Sequence, residues 1–296
     1  MGNKPILTER DQELLSLIAT CGAVTLQQAQ QIYGTKYYHY KRIDLLEERG
    51  YIKKHGRYLE LAQKGIDITG QPRYQFRQGY LRQVYSGMAD LVMELTNWEI
   101  YSAREVRNKY SLNRANRFRG SVVRDGHEYA VYLVSSNPYA RTLSAIQGEI
   151  KFLACSTPIR RAMVFAPNHD VLERFGLDDQ EAEELLLLIY PDSLQLLNNY
   201  HSDEFQSYLQ SLVAGFAPTD SPFADYEADD EYVADLILND IVKINSLAAY
   251  FHLQHRKKVS IICLDSQKEL MQSRFPSARQ IIIPNKKGVD SFARRT

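Results

Sequence analysis

The stretch TLQQAQQIYGTKYYHYKRIDLLEERGYIKKHGRYLEL, residues 25–61, predicts how the N-terminal part of this chain folds. Thr25 can cap a short helix, because Gln28 stands three residues later and completes a capping box. Gly34 ends that helix, and Gly50 ends the one that follows. Two short helices joined by a glycine turn are typical of a helix-turn-helix.

The second of these helices, which Thr35 can cap, has two distinct faces. At 100° per residue, His39, Ile43 and Leu46 share the side that we expect to pack inward. The N-terminal half of the other side carries the donors and flat rings that contact with the major groove of DNA requires. These predicted contact residues are Lys36, Tyr37, Tyr38, Lys41 and Arg42.

A hairpin is predicted directly after the second helix, because YIKK and RYLEL are rich in β-favouring residues and flank His55-Gly56. Its basic side chains are well placed to contact phosphates. They are Lys53, Lys54, His55 and Arg57. With a first helix opened by Thr8, the stretch predicts a winged helix-turn-helix DNA-binding domain over residues 1–70. The alternative is a small helical interaction module with a solvated basic turn.

Size and composition indicate a soluble globular protein of two or three domains. The chain has 296 residues, of which 44% are hydrophobic and 24% charged, and this allows sizeable cores. No run approaches the roughly 20 apolar residues of a membrane span, and the N-terminus lacks the apolar core of a secretion signal. Three widely separated cysteines form no metal spacing. We therefore expect a cytoplasmic protein that makes no membrane contact.

The net charge of zero hides a strong segregation of charge along the chain. Residues 101–166 carry 11 basic and 4 acidic side chains, whereas residues 167–240 carry 1 basic and 18 acidic ones. Residues 241–296 are basic again, with 11 against 3. Such asymmetry indicates separate surfaces for different partners. We call residues 167–240 the acidic belt, and expect it to face solvent or a basic protein partner while DNA meets the basic parts.

The N-terminal part resembles the opening of the replication-relaxation family. The similarity rests on LTERDQELLSLIATCGAVTLQQAQQIYG, the tyrosine-rich helix, RGYIKK and LELAQKG, and it covers residues 6–66. A long helix at 79–97 followed by WEIYS also fits, although this chain has Tyr80 where many members have a histidine. The family consists of winged-helix proteins of plasmids and integrative elements. The resemblance therefore implies a role in plasmid replication or in relaxation at a transfer origin.

Beyond a linker at residues 70–72, strands and helices alternate and predict a mixed α/β region. We place a first α/β domain at residues 76–200, and the acidic linker with a second α/β copy at residues 201–296. The two copies align, because EYAVYLV at 128–134 corresponds to EYVADLI at 231–237. Each copy reads strand, helix, strand, helix, strand, which predicts a mixed sheet covered by helices. Chance similarity between two α/β stretches is the alternative.

The order of these elements is similar to that of a restriction-endonuclease-like core, so each copy is a candidate degenerate nuclease repeat. Such a core needs an Asp and an acidic-x-Lys pair to hold Mg²⁺ and orient water. In the first copy Ala130 stands where the lysine is required, and in the second copy Ile237 follows Asp235 in that place. We therefore predict no enzyme activity, no cofactor and no catalytic or metal-binding residue.

Two weaker candidates for metal ligands remain in the sequence. Five carboxylates lie close together, but such a cluster is usually a solvated loop. They are Asp225, Glu227, Asp229, Asp230 and Glu231. His252 and His255 stand three residues apart on a predicted helix, but without a third ligand an amphipathic surface explains them better.

The sequence thus favours a double-stranded DNA-binding protein of a plasmid or mobile element, acting in replication, origin-of-transfer processing or transcriptional control. The alternative is a divergent metal-dependent nuclease that its winged helix targets to DNA. Arg117 and Arg119 in the basic first copy extend the predicted DNA surface. We expect a homodimer, because one short helix covers too few base pairs, with the strands at 185–190 and 281–283 as candidate pairing edges.

Overall fold

The structure is a computed structural model that describes residues 7–72, 74, 76, 79–113, 115–175, 181–253 and 257–282. Within these residues the protein is of the α+β class, with twelve α-helices and three sheets. The contacts divide the chain into two compact units. The first unit comprises Met1–Thr96, Ile100–Leu112 and Arg119–Ser121, and the second comprises Asn97–Glu99, Asn113–Phe118 and Val122–Thr296.

The chain up to residue 112 is mostly helical and contains one small sheet. Its elements are α1 (Glu9–Cys21), β1 (Val24–Thr25), α2 (Leu26–Tyr33), α3 (Tyr38–Glu48), β2 (Ile52–His55), β3 (Tyr58–Leu61), α4 (Gln63–Thr69), α5 (Gly79–Glu94), β4 (Glu99–Ser102) and α6 (Ala103–Lys109). Strands β1, β3 and β2 form an antiparallel sheet in that order. The hairpin between β2 and β3 pairs His55 with Tyr58 across a turn at Gly56.

The beginnings of the first two helices follow from their capping residues. The predicted capping box of α2 is confirmed, because the side chain of Thr25 accepts from the backbone of Gln28 and the side chain of Gln28 accepts from the backbone of Thr25. Thr8 and Asp11 form the same arrangement at α1. Gly34 ends α2 in the left-handed conformation, with φ of 68°, which glycine adopts without steric cost.

Helix α5 packs with the N-terminal helices, whereas the sequence predicted it at the start of the second domain. Buried Gln28 of α2 donates to the carbonyl of Ser86 (2.8 Å) and to the carboxylate of Asp90 (2.7 Å), both on α5. Leu14, Leu15 and other apolar residues of α1 are fully buried in the same unit. The core of this unit therefore includes α5.

The rest of the chain forms two five-stranded sheets with their helices. Its elements are β5 (Gly120–Arg124), β6 (His127–Leu133), α7 (Ala140–Ser156), β7 (Arg161–Ala166), α8 (His169–Phe175), β8 (Glu184–Ile189), α9 (Ser193–Tyr200), α10 (Asp203–Leu212), β9 (Ala217–Pro218), β10 (Tyr226–Glu227), β11 (Glu231–Asp235), α11 (Ile241–His252), β12 (Lys258–Ile262), α12 (Lys268–Arg274) and β13 (Gln280–Ile282). One sheet has the order β4-β5-β6-β7-β8 and the other β13-β12-β11-β10-β9.

The two sheets have the same topology around the strands that the sequence aligned. Strands β6 and β11 each hold the third position, and each continues through a helix into a parallel neighbour, β7 or β12, and then through a second helix into β8 or β13. In the sequence RRAMVFAPN at 160–168 aligns with KKVSIICLD at 257–265, so that Arg161 corresponds to Lys258. The pairing of the strands differs by one residue, because Tyr129 lies opposite Arg161 whereas its counterpart Tyr232 lies opposite Val259. Gene duplication as the origin of this likeness stays a prediction.

Two details of the second unit differ from the sequence prediction. The acidic segment at 215–231, predicted as a linker, contributes the short strands β9 and β10 to the second sheet. The outer edge of β8, predicted as a dimer contact, is already occupied within the chain. There Asn239 exchanges hydrogen bonds with Leu187 (3.0 and 3.2 Å), and Asp240 accepts from the backbone N–H of Leu185 (3.1 Å). Part of the other candidate edge, residue 283, lies outside the described residues.

No helix in the described part of the chain is long and apolar enough to cross a membrane.

Candidate nucleic-acid interface

The N-terminal end of α3 exposes an unusual concentration of aromatic rings. Tyr37, Tyr38 and Tyr40 are 70%, 45% and 48% exposed, and they make up three of the eight large hydrophobic side chains that are exposed in the described residues. Lys36 and Lys41 are exposed beside them, and the Lys36 ammonium lies 5.7 Å from the centre of the Tyr37 ring. Rings and cations together suit contact with bases and phosphates.

Helix α3 begins at Tyr38, three residues after the predicted cap at Thr35. Lys36 and Tyr37 therefore lie in the turn before the helix, and the carbonyl of Thr35 accepts from Nδ1–H of His39 (3.1 Å). Tyr40 was missed by the sequence prediction. Tyr40 directly follows His39, which faces inward. Because successive helical residues are rotated by about 100°, this position could have indicated that Tyr40 is exposed.

The inward face of α3 is as predicted. His39, Ile43 and Leu46 are at most 1% exposed, and these three residues attach the helix to the core of the first unit. Because this face is packed, the fold fixes the position of the α3 backbone that carries Tyr38 and Tyr40. Lys36 and Tyr37 precede the helix and lie in the turn.

Arg42 does not belong to the exposed set in which the sequence prediction placed it. Its guanidinium binds both carboxylate oxygens of Asp11 on α1, with the Nε–Oδ1 distance at 3.2 Å, and only 15% of its side chain is exposed. Asp11 is fully buried and also accepts from the hydroxyl of Tyr33 (2.7 Å). Arg42 therefore holds α3 against α1, and its Nε and Nη2 donors are already paired with Asp11.

The pKa of Asp11 reflects this pairing. Burial raises the pKa of the carboxyl group, but hydrogen bonds from Arg42, Tyr33 and Thr8 outweigh burial and lower the pKa below its ordinary value. Asp11 therefore stays ionised at neutral pH, which fits its role as the partner of a guanidinium.

The four predicted basic groups of the hairpin between β2 and β3 have different surroundings. Lys53 and Arg57 are exposed, and the Arg57 guanidinium lies over the ring of Tyr58, 5.1 Å from its centre. His55 is 38% exposed at its side chain, and its Nε2 lies 3.7 Å from a carboxylate oxygen of the buried Glu60. The ammonium of Lys54 instead binds Asp44 of α3 at 2.8 Å, and this hydrogen bond raises the pKa of Lys54. Lys54 therefore fastens the hairpin to α3.

The two arginines predicted to extend the surface have different surroundings. Arg117 is exposed, while its backbone N–H donates to the carboxylate of Glu149 (2.7 Å). Arg119 is half-buried and stacks on the ring of Tyr85, 4.9 Å from its centre. Arg117 is thus the freer of the two to meet a partner.

Part of the basic first copy is neutralised by the acidic belt. Arg161 lies between Glu183 (3.3 Å) and Glu184 (3.5 Å), and Lys151 pairs with Glu181 (2.5 Å). These pairs are partly exposed and contribute little to stability. They do reduce the positive field that the sequence counts predicted for this region.

The weak metal candidates gain no support from the geometry. No group of three or more His, Cys, Asp or Glu side chains suited to hold a metal ion occurs within the described residues. Asp229 and Asp230 are exposed, whereas Glu231 accepts from Ser260 and Arg279. His255 lies outside the described residues.

Comparison with known protein families, with curated proteins and with solved structures gives no match in any of the three.

Proposed function

We propose that this chain is a sequence-specific double-stranded DNA-binding protein, and that its first unit acts as a winged helix-turn-helix. In this proposal α2 and α3 are the helix-turn-helix, and the hairpin of β2 and β3 is the wing. The order of the helices, the glycine turn at Gly34 and the antiparallel sheet β1-β3-β2 support it. A recognition helix of this kind meets base edges with its N-terminal residues.

The observation that carries the proposal is the exposed end of α3. Clusters of exposed apolar surface on folded proteins often mark binding sites. Here Tyr38, Tyr40 and Lys41 lie on a helix whose inward face is buried, and Lys36 and Tyr37 lie in the turn just before it. The lysines can donate to guanine or phosphate, and the rings can contact the methyl group of thymine. Such a surface fits the major groove better than it fits an apolar protein groove.

The hairpin supplies the contacts that do not depend on sequence. Lys53 and Arg57 are exposed on it, and cations at such a place neutralise phosphates and release counterions. Arg57 is stacked on Tyr58, which limits its motion before DNA binds. Arg42 and Lys54 instead stabilise this surface through their ion pairs with Asp11 and Asp44, and we do not include them among the proposed DNA contacts.

The biological setting is proposed from the resemblance to the replication-relaxation family. It comprises a plasmid or mobile element, a role in replication, origin-of-transfer processing, conjugation or transcription regulation, and a cytoplasmic location. In this setting the protein binds DNA as a homodimer on two half-sites. The second unit serves as a scaffold, with the acidic belt as a docking surface for a protein partner. The DNA-binding role itself uses no catalytic group.

Fluorescence anisotropy of a labelled duplex with the full chain tests the proposal. The charge reversal Lys36→Glu/Lys41→Glu should weaken binding at least tenfold at 50 mM salt. Lys258→Glu reverses an exposed charge on the second unit and serves as the control. Loss of affinity that is equal in both variants would show that DNA does not meet α3.

A further inference from the structure

A cavity of about 480 Å³ lies within the second unit, where the ends of three strands meet three helices. Its wall contains the last residues of β8, residues that follow β11 and β12, and side chains of α8, α9 and α12. All three strand segments are carboxyl ends, and in open α/β sheets ligands bind in the crevice outside the carboxyl ends of the strands. The volume also falls within the range of about 300–1,000 Å³ that is usual for small-molecule pockets.

The wall of the cavity is mostly apolar, and part of it is in contact with water. Eight of the fifteen lining residues are leucine or isoleucine, as is usual for a pocket that holds an organic molecule. Leu270 on α12 is 44% exposed, and Leu196 and Leu264 are half-buried. An apolar body in the cavity would remove these side chains from water, which is favourable.

Hydrogen bonds within the chain fix the shape of the cavity. Gln267 accepts from the backbone N–H of Leu264 (2.8 Å) and donates to the carbonyl of Ile237 (3.2 Å). Nδ2 of Asn239 donates to the carbonyl of Leu187 (3.0 Å). These polar side chains saturate the backbone at the strand ends and leave the wall to the leucines. The cavity is therefore formed by the fold itself, before a ligand enters.

The charged side chains that line the cavity are acidic. Glu173 on α8 and Asp192, directly before α9, are exposed, and neither forms an ion pair or a side-chain hydrogen bond within the residues that the structure describes. By contrast, Glu183 of the same acidic belt is paired with Arg161. The third titratable side chain of the wall, His169, is also exposed, and no lysine or arginine occurs among the described lining residues. The rim of the apolar cavity is therefore complementary to positive charge.

We propose that this cavity binds a small organic cation, with its apolar body against the leucines and its positive group beside Glu173 and Asp192. An amine or a quaternary ammonium group meets this requirement, whereas an anion of the same size would be repelled at the rim. The site lies outside α3 and the hairpin, so it does not rest on the proposed DNA contacts. It gives the second unit a binding function beyond that of a scaffold.

Isothermal titration calorimetry of the full chain with octyltrimethylammonium and with octyl sulfate, both below their micelle concentrations, tests the proposal. The probes have the same apolar chain and opposite charges. The cation should bind in a saturable manner at one site per chain, and about tenfold or more tightly than the anion, because the two carboxylates attract one and repel the other. Equal affinity for the two probes would overturn the proposal, and so would the absence of saturable cation binding at millimolar concentration.

A matched pair of variants shows whether the cation binds at this rim. Glu173→Gln/Asp192→Asn should weaken cation binding by about tenfold, because two ion pairs are lost, and should remove most of the preference over the anion. Asp170→Asn/Glu204→Gln neutralises the same number of exposed carboxylates of the acidic belt away from the cavity, and should leave the affinity unchanged. Equal losses in both variants would show attraction by the belt as a whole and would refute the site.

A third variant tests the apolar part of the site. Leu196→Trp places a larger side chain in the cavity from a half-buried position, and should weaken binding of both probes. Circular dichroism checks that each variant is folded. Unchanged cation affinity in folded Leu196→Trp would contradict binding in the cavity. Where Leu196→Trp does not fold, the charge variants decide alone, because their substituted residues are exposed.

Discussion

Replacing Arg42 by alanine should loosen the first unit, because it breaks a buried ion pair between α3 and α1. Asp11 is fully buried and Arg42 is 15% exposed at its side chain. At about 4 Å and an effective dielectric constant of about 20, opposite unit charges attract by about 4 kcal/mol. Breaking one partner of such a buried pair typically costs about 3–5 kcal/mol. Tyr33 and Thr8 remain hydrogen-bonded to Asp11, so we expect the lower end of this range.

Amide hydrogen exchange of the full chain, measured by mass spectrometry, shows which elements lose stability when Arg42 is replaced. A loss of about 3 kcal/mol should speed exchange by on the order of 100-fold in peptides of α1 and α3. Peptides of β11 and β12 should not change. Lys41→Ala is the matched control, because Lys41 is the exposed neighbour of Arg42 and should alter stability by less than about 0.5 kcal/mol.

The pH dependence of this effect has a defined sign. The folded-state pKa of Asp11 is lowered, so its pairing stabilises the protein above the ordinary pKa of an aspartate and is lost as the pH falls through the folded-state value. The gap between wild type and Arg42→Ala should therefore be largest at neutral pH and shrink in acid. If Arg42→Ala exchanges at the wild-type rate but loses DNA affinity, Arg42 is a DNA contact and the reasoning is wrong.

The remaining predictions concern the wing, the assembly and the second unit. Lys53→Glu/Arg57→Glu should weaken binding to all duplexes alike and reduce the slope of log affinity against log salt by about 2, and a change confined to one sequence would contradict a phosphate role. Sedimentation on DNA should give a dimer, and a persisting monomer at micromolar concentration would rule this out. Burial raises the pKa of Asp235 to about 6, so its ionisation destabilises the fold as the pH rises from 4 to above 6. Asp235→Asn should remove that part of the pH dependence, and an unchanged profile would show that Asp235 does not titrate there.

Local patterns in the sequence predicted the first unit well where the interactions were local. The capping box of Thr25 and Gln28 spans three residues, and the inward face of α3 follows from helical periodicity. The pairing of Arg42 with Asp11 joins residues 31 positions apart, and no periodicity shows it. For this reason the sequence prediction placed Arg42 on the exposed face, whereas its guanidinium binds the buried carboxylate of Asp11.

In the second unit, too, local patterns were predicted from the sequence and contacts between distant residues were not. The strand and helix order of both copies was predicted from the alignment, because strand runs and amphipathic helices leave clear patterns. The acidic segment gave no strand signal, since β9 and β10 are two residues long and follow from pairing with β11. In the sequence, a lysine near Asp235 was expected two residues along the strand, where Ile237 stands. In the structure, the ammonium of Lys243 on α11 lies 3.2 Å from the carbonyl oxygen of Asp235. Only the tertiary structure brings these groups together.

Photo-crosslinking to a duplex containing 5-iodouracil tests the central claim most directly, because the reaction favours aromatic side chains in contact with the base. Trypsin cleaves after Lys36 and Lys41, so the exposed rings of α3 are released together on one short peptide, Tyr37 to Lys41. We predict that the full chain crosslinks through this peptide, and that the yield falls as salt is raised. Crosslinks found only in peptides of the second unit would contradict the account.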